Sequence, residues 1–198
     1  MAKRLLDLVV SALSLLLLAP LMLLIALAIR MDSAGPVFFR QERVGRAGRL
    51  FRIHKFRTMR LDAEQGGLQV TVGRDPRITR VGHWLRGRRL DELPQLIDVL
   101  RGDMSLVGPR PEVPRFVAHY PTALRDEVLA VRPGLTDPAT LAHLDEAPLL
   151  AAATDPERAY IDQVLPRKLA LQAEYVRRAT LGGDLILLWR TLCVLVRR

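Results

Sequence analysis

The stretch "RRLDELPQLIDVLRGDMSLVGPRPE", residues 88–112, sets two adjacent carboxylates, Asp91 and Glu92, among arginines and just ahead of an apolar helix. One explanation is local: the positive end of a helix dipole favours acidic residues there. The neighbours supply another. Arg86, Arg88 and Arg89 precede the pair, and Arg110 follows in a loop stiffened by Pro109, Pro111 and Pro114. Two carboxylates can hold Mg²⁺, a hard cation that prefers oxygen and keeps waters. Arginines clamp phosphates with forked hydrogen bonds. A carboxylate can also attack phosphorus and form an acyl phosphate. The stretch therefore suits phosphoryl transfer, where positioning and charge stabilisation supply most of the rate. In so basic a field Asp91 is expected to be ionised and ready.

A second cluster is "HKFRTM", residues 54–59. In an extended chain, alternation puts Lys55 and Arg57 on one face and His54, Phe56 and Thr58 on the other. Lys55 and Arg57 thus become candidate phosphate ligands. The sequence holds no Walker A loop, no GxGxxG and no zinc-type histidine spacing. His54, His83, His119 and His143 are scattered and are read as structural.

These residues need a scaffold and a compartment. The chain has 198 residues, enough for a real core. Its formal net charge of +9 points to anionic partners: phosphates, acidic lipids or nucleic acid. Cys193 is the single cysteine, which excludes an internal disulfide and a multi-cysteine metal site. The basic residues lack interleaved aromatics for base stacking, which argues against nucleic acid as a partner.

The N-terminus, "MAKRLLDLVVSALSLLLLAPLMLLIALAIR", is uncharged for 22 residues from Leu8 to Ile29. That makes roughly 33 Å of helix, the thickness of a hydrocarbon core. The run is too long for a cleaved signal peptide. Two forms stay open, a spanning helix and a re-entrant one. Pro20 removes a backbone hydrogen bond mid-run. Both flanks are basic, Lys3 and Arg4 before and Arg30, Arg40 and Arg43 after, so both ends are drawn to the cytoplasmic side. A helix that bends at Pro20 and returns satisfies both.

Downstream, residues 37–43 and 50–59 read as strands around a Gly45–Gly48 turn. Eight Arg and Lys face one Glu between Arg40 and Arg60, which also fits a juxtamembrane patch on anionic headgroups. A short helix is expected over 61–67. A basic helix should precede Leu90, and a further helix should start at Pro94 and close at Gly102. Residues 105–114 read as a rigid loop, and "RPGLTDP" as a turn. Helices are expected at about 121–131, 155–163 and 166–179. The C-terminal "LGGDLILLWRTLCVLVRR" is too short to span, and reads as an interfacial helix or a core helix.

Taken in order, Lys3-Arg4 with Asp7, Pro20, "GPVFFRQERVGRAGRLFRIHKFRTMR", "DPRITRVGHWLR", "LDELPQLIDVLRGDMSLVGPRPE" and "RPGLT" closely resemble the bacterial sugar transferases called small monotopic phosphoglycosyl transferases. The resemblance runs through nearly the whole chain. It implies an α+β, mostly helical fold: a re-entrant membrane helix hairpin over 1–30, broken at Ala19-Pro20, and a catalytic domain over 31–198 with a small β-hairpin and amphipathic interfacial helices. It implies transfer of a phospho-sugar from a UDP-sugar to polyprenyl (undecaprenyl) phosphate with release of UMP, in a ping-pong reaction that needs Mg²⁺. Asp91 would be the nucleophile, and Glu92 would help hold Mg²⁺ or place the polyprenyl phosphate. Lys55, Arg86 and Arg110 would line the phosphate and uridine pocket, with Arg57, Arg88, Pro109 and Pro111 in the same motifs. The implied location is the cytoplasmic face of the bacterial inner membrane, among membrane lipids, where apolar segments would permit a homodimer. The chain departs from the family pattern at Ala19, often a serine, and at Asp137-Pro138-Ala139, where many members carry Gly and then Trp-Gln. The second departure falls in a region the resemblance ties to the sugar. The reading that competes with an enzyme is a membrane-anchored basic module that binds anionic lipid or nucleic acid.

Overall fold

The structure is a computed structural model that describes residues 1–61, 75–142 and 146–196. It is mostly helical, with one antiparallel hairpin and one short parallel strand pair. The helix expected over 61–67 lies, after its first residue, outside the described residues.

Helix α1 (Ala2–Asp32) runs continuously across Pro20, so the break expected at Ala19-Pro20 does not interrupt the helix. One stripe faces the protein and buries Asp7, Ser11, Ile25 and Ile29. The opposite stripe carries Leu13, Leu16, Leu17, Leu23, Leu24 and Leu27, each more than half exposed. Burying a leucine is worth about 1.5–3 kcal/mol, so six left in water would be a large forgone stabilisation. Both ends of α1 are tied to the body of the protein. Near its start, Lys3 Nζ donates to the Val107 carbonyl at 2.9 Å and pairs with Asp184. Arg4 donates to the Val99 and Leu100 carbonyls at 2.6 and 2.9 Å, filling acceptors that the end of a helix leaves open. Asp7 accepts from the Leu106 N–H at 3.0 Å and the Ser105 hydroxyl at 3.1 Å. At the far end, the Asp32 carboxylate accepts the Val81 N–H at 3.0 Å.

Strands β1 (Phe38–Val44) and β2 (Leu50–Phe56) form the expected hairpin, with Phe38 opposite Phe56 and Phe39 opposite Lys55. Strand β2 ends at Phe56 rather than 59. Helix α2 (Arg80–Gly87) is capped by Thr79, whose hydroxyl accepts the Gly82 N–H at 3.0 Å. Arg89 then adopts a left-handed backbone, φ 54°, and reverses the chain into a 3₁₀ turn at Leu90–Glu92. Helix α3 (Gln95–Arg101) follows and ends at Gly102, φ 90°, as Pro94 and Gly102 predict.

The rigid loop and the "RPGLT" turn each conceal a strand. β3 (Ser105–Val107) pairs in parallel with β4 (Gly134–Thr136). Their neighbours cross so closely that a Cβ on Gly134 would lie 2.1 Å from the Gly108 nitrogen. Glycine is required there because two backbones occupy the space a side chain would need.

The remaining helices, α4 (Pro114–Val117), α5 (Thr122–Val128), α6 (Pro138–Leu141), α7 (Glu146–Ala152), α8 (Pro156–Ala159) and α9 (Leu165–Arg178), lead to α10 (Leu181–Val196). The helices expected at 155–163 and 166–179 are one run, with a π turn at Tyr160–Val164 between α8 and α9. Three apolar clusters hold the fold together. One gathers Phe116, Val128, Tyr160, Leu165 and Leu169 beneath α4, α5 and α9. A second packs Ile53, Leu96, Val99, Met104 and Leu106 between β2, α3 and β3. A third joins Ile25, Ile29, Phe56 and Leu85, with Leu90 and Leu93 against it. The 3₁₀ turn carrying Asp91 and Glu92 thus sits between the second and third clusters. Helix α10 buries Asp184 but leaves Leu185, Ile186, Trp189 and Leu192 half or more exposed, so it is not a core helix.

Candidate active site

The hairpin, the 3₁₀ turn and the loop after β3 converge on Glu92. Lys55, near the end of β2, donates to Glu92 Oε1 at 2.9 Å. Arg110 donates to Glu92 Oε2 at 3.2 Å and makes a second, shorter bond to Oε1. Burial by itself would push the Glu92 carboxyl up, but the Arg110 and Lys55 charges and their hydrogen bonds outweigh it and hold the group well below the usual carboxylate range. Glu92 in turn raises Arg110 above its ordinary value. Lys55 is lowered, because burial outweighs the pull of Glu92.

Asp91 differs from its neighbour. Its side chain is buried, and among the described residues its carboxylate makes no hydrogen bond or ion pair. Burial, and then repulsion from Glu92, raise its pKa, while Lys55, Arg86 and Arg110 oppose the rise. Burial and Glu92 therefore outweigh the expected ionising field. Lys55 and Arg110 are bonded to Glu92, not to Asp91. Arg86 comes from α2, donates to the Thr58 hydroxyl at 2.9 Å, and lies near enough to feel the Asp91 charge.

The other residues of these motifs have partners of their own. Arg57 follows the last residue of β2, so the alternation that pairs it with Lys55 no longer applies. Its buried guanidinium donates to the Ser33 carbonyl at 2.7 Å and to Ala34 and Ile29, closing the end of α1. Arg88 is exposed and its guanidinium lies 5.0 Å over the Trp84 ring. Pro109 and Pro111 act through their carbonyls: Pro109 accepts the Gly134 N–H at 2.9 Å, and Pro111 accepts from Arg43 at 3.0 Å. They set the Arg110 backbone between two anchors. Ala19 and Pro20 lie on the exposed stripe of α1.

Three buried acids of this neighbourhood escape a reading of the sequence. Asp98 grips His54 twice, taking its backbone N–H at 2.8 Å and meeting Nδ1 at 2.5 Å, and so fixes β2 beside Lys55. Glu112 pairs with Lys168, Arg43 and the Tyr160 hydroxyl. Asp137 accepts from Thr140, Gln172 and the Arg110 backbone. For Asp137 a signal existed, since Asp before Pro marks a helix N-cap. For Asp98 and Glu112 the partners are distant in sequence and no local pattern announces them.

Among the described residues no group of three or more His, Cys, Asp or Glu is arranged to hold a metal ion. The dyad offers oxygen donors alone, with the Asp91 carboxylate unengaged and Glu92 engaged by two cations. That set fits a hard cation that keeps waters and takes further oxygens from a diphosphate, and does not fit an all-protein cage.

The chain matches the bacterial sugar transferase family over residues 1–198. It is 38% identical to a UDP-N-acetylgalactosamine-undecaprenyl-phosphate N-acetylgalactosaminephosphotransferase of Aeromonas hydrophila over 96% of this chain and 42% of that protein. It is 39% identical to a UDP-glucose:undecaprenyl-phosphate glucose-1-phosphate transferase of Caulobacter vibrioides over 96% of this chain and 67% of that one. It is also 54% identical to an undecaprenyl-phosphate glucose phosphotransferase of Komagataeibacter xylinus, over 57% of this chain and 21% of that protein. It spans less than half the length of the first and third of these relatives. A match along its whole length, with the dyad and its cations assembled at one place, means that the chain belongs to the bacterial sugar transferase family.

Proposed function

We propose that this protein transfers a sugar-1-phosphate from a UDP-sugar to polyprenyl phosphate through a covalent intermediate on Asp91. The observation that carries the reading is the unpartnered, buried Asp91 carboxylate beside a Glu92 that two cations hold in place. An Asp91 oxygen attacks the β-phosphorus. The bond from that phosphorus to the bridging oxygen breaks, and UMP leaves with the oxygen. Sugar-1-phosphate remains on Asp91 as an acyl phosphate. An oxygen of polyprenyl phosphate then attacks the same phosphorus, the acyl–phosphate bond breaks, and the Asp91 carboxylate is restored. Lys55, Arg86 and Arg110 neutralise charge as it shifts onto the leaving phosphate, held in advance by Glu92 and Thr58. Mg²⁺, held by Asp91 and Glu92 with diphosphate oxygens, would supply Lewis-acid neutralisation of the diphosphate. The Mg²⁺ charge would favour the ionised form of Asp91, against the opposing charge of the diphosphate.

The acceptor is membrane-confined, so the site must sit near headgroups. The exposed leucine stripe of α1 and the Trp189 side of α10 supply apolar surface for that purpose. Both ends of α1 are bonded to one folded body. A helix so tied cannot place its ends on opposite sides of a bilayer unless the body crosses too. This supports a one-sided, monotopic attachment, and the basic residues flanking α1 favour the cytoplasmic face for the catalytic body. A module that merely bound anionic surfaces would have no use for an unpartnered buried carboxylate, and much of its basic charge would not be spent on internal partners.

The test is UMP release from a panel of UDP-sugars by purified protein with polyprenyl phosphate and Mg²⁺, beside Asp91→Asn and an EDTA control. Release with one sugar, lost in both controls, is expected. Equal release by Asp91→Asn would end the nucleophile assignment. The relatives named above carry different sugars, so the panel also decides the donor.

A further inference from the structure

Asp137 stands where the resemblance marks a departure from the family pattern, and its side chain is fully buried. Its oxygens accept hydrogen bonds from three separate parts of the fold. Oδ1 accepts the Thr140 backbone N–H at 2.7 Å and caps α6. Oδ2 accepts from Gln172 Nε2 on α9 at 2.8 Å and from the backbone N–H of Arg110 at 3.2 Å. A carboxylate enclosed in this way is bound within the fold and does not itself face a sugar hydroxyl.

The Arg110 contact matters because of the residues on either side. Pro109 and Pro111 have no N–H, so residues 109–111 offer a single backbone donor, that of Arg110. Asp137 takes it. The flanking carbonyls are held by Gly134 and Arg43. The Asp137 bond therefore completes the fixing of the loop at the residue whose guanidinium grips Glu92 beside the nucleophile. Hydrogen bonds to a charged acceptor are stronger than neutral ones and leave buried donors unsatisfied when lost.

We propose that Asp137 is a positioning residue for the transfer reaction, acting through the backbone of Arg110. This rests on the transfer reading above. Asp137→Asn is close in shape. Its oxygen can keep the Thr140 cap, while its NH₂ group then faces two donors, Gln172 and the Arg110 N–H. Gln172→Met removes the α9 partner but leaves the Arg110 bond.

The experiment measures kcat/KM for UMP release by full-length, membrane-reconstituted protein with the active UDP-sugar. The variants are Asp137→Asn, Asp137→Ala and Gln172→Met, and the two Asp137 variants are repeated in an Arg110→Ala background. Amide hydrogen exchange over residues 108–112 is followed in parallel. Asp137→Asn should lower kcat/KM about ten- to hundredfold, mostly through kcat, and speed exchange in that loop. In the Arg110→Ala background the same change should cost less than about threefold, since there is no guanidinium left to place. Gln172→Met should stay within about threefold of wild type. Equal losses in both backgrounds, or a loss with Gln172→Met as large as with Asp137→Asn, would overturn the proposal and leave Asp137 a structural cap. If Asp137→Asn does not fold, Asp137→Ala carries the same comparison. A wild-type protein that releases no UMP from any donor would instead refute the transfer reading, and loop exchange alone would then decide whether Asp137 fixes Arg110.

Discussion

Replacing Glu92 by glutamine separates two roles that a single carboxylate combines. Glu92 is nearly buried, with 14% of its side chain exposed, and it accepts from Lys55 through Oε1 and from Arg110 through both oxygens. Glutamine keeps one acceptor oxygen. It turns an NH₂ group toward Arg110 and removes the charge that balances two half-buried cations. Breaking a buried pair outright costs about 3–5 kcal/mol, and since one contact survives the loss here should be about 2–3 kcal/mol. For a chain of this size that lowers the melting temperature by roughly 4–12 °C. The kinetic effect has its own signature. Lys55, released from Glu92, has Asp91 as its next counter-ion and would quench the nucleophile, while Arg110 turns toward Asp137 and Glu112. The pocket also becomes one negative charge poorer, which does not harm binding of an anionic donor. Glu92→Gln should therefore lower kcat about a hundredfold, equivalent to about 2.7 kcal/mol of barrier, while KM for the UDP-sugar stays level or falls. Thermal unfolding in detergent and steady-state UMP release test the two halves. A variant with wild-type melting, or with intact kcat and raised KM, would refute the claim that Glu92 holds Lys55 off Asp91. A pH series adds a sign. Because the folded state depresses the Glu92 carboxyl below its ordinary value of 4.5, its stabilisation is complete above that pH and is lost as pH falls below it. Glu92→Gln should flatten that acid limb of the melting curve.

Other outcomes follow from the same contacts. Arg57→Ala should destabilise the protein by about 2–3 kcal/mol by orphaning carbonyls at the end of α1, with KM for the UDP-sugar unchanged; a raised KM would return Arg57 to the donor site. Arg88→Ala, by contrast, removes an exposed cation stacked on Trp84 and should leave kcat/KM within about twofold, since surface contacts of this kind are weak. Gly134→Ala inserts a methyl 2.1 Å from the Gly108 nitrogen. It should push the Arg110 loop aside and cost at least about tenfold in kcat, and a fully active variant would mean the crossing is looser than described.

Much of the site is legible in the amino-acid sequence because its chemistry is concentrated in one stretch. Asp91, Glu92 and Arg110 lie within 20 residues of one another, and the prolines and glycines that fix them leave strong local marks. The hairpin and α3 are legible for similar reasons. Three features are not. Strands β3 and β4 have three residues each, too few to express an alternating pattern, and they pair across 29 positions of chain. Arg57 joins the site only if the β2 alternation is extended one residue past the strand's end, and the fold stops the strand at Phe56. The protonation tendency of Asp91 cannot be had by counting charge without pairing: the same cations that crowd it in sequence are bonded to Glu92 in space. Asp98 and Asp137, which fix the backbones around Lys55 and Arg110, become visible once the chain is folded and their distant partners come within reach.

The central claim is a covalent phospho-sugar on Asp91, and its most direct test omits the acceptor. Protein incubated with the active UDP-sugar and Mg²⁺, without polyprenyl phosphate, would be quenched and digested, and the peptide containing Asp91 weighed. One equivalent of UMP should be released per protein, and a sugar-phosphate mass should appear on that peptide. Adding polyprenyl phosphate before the quench should discharge it, and Asp91→Asn should never acquire it. UMP release that begins only when polyprenyl phosphate is added, with no adduct on any peptide, would mean direct transfer to the acceptor and would contradict the account.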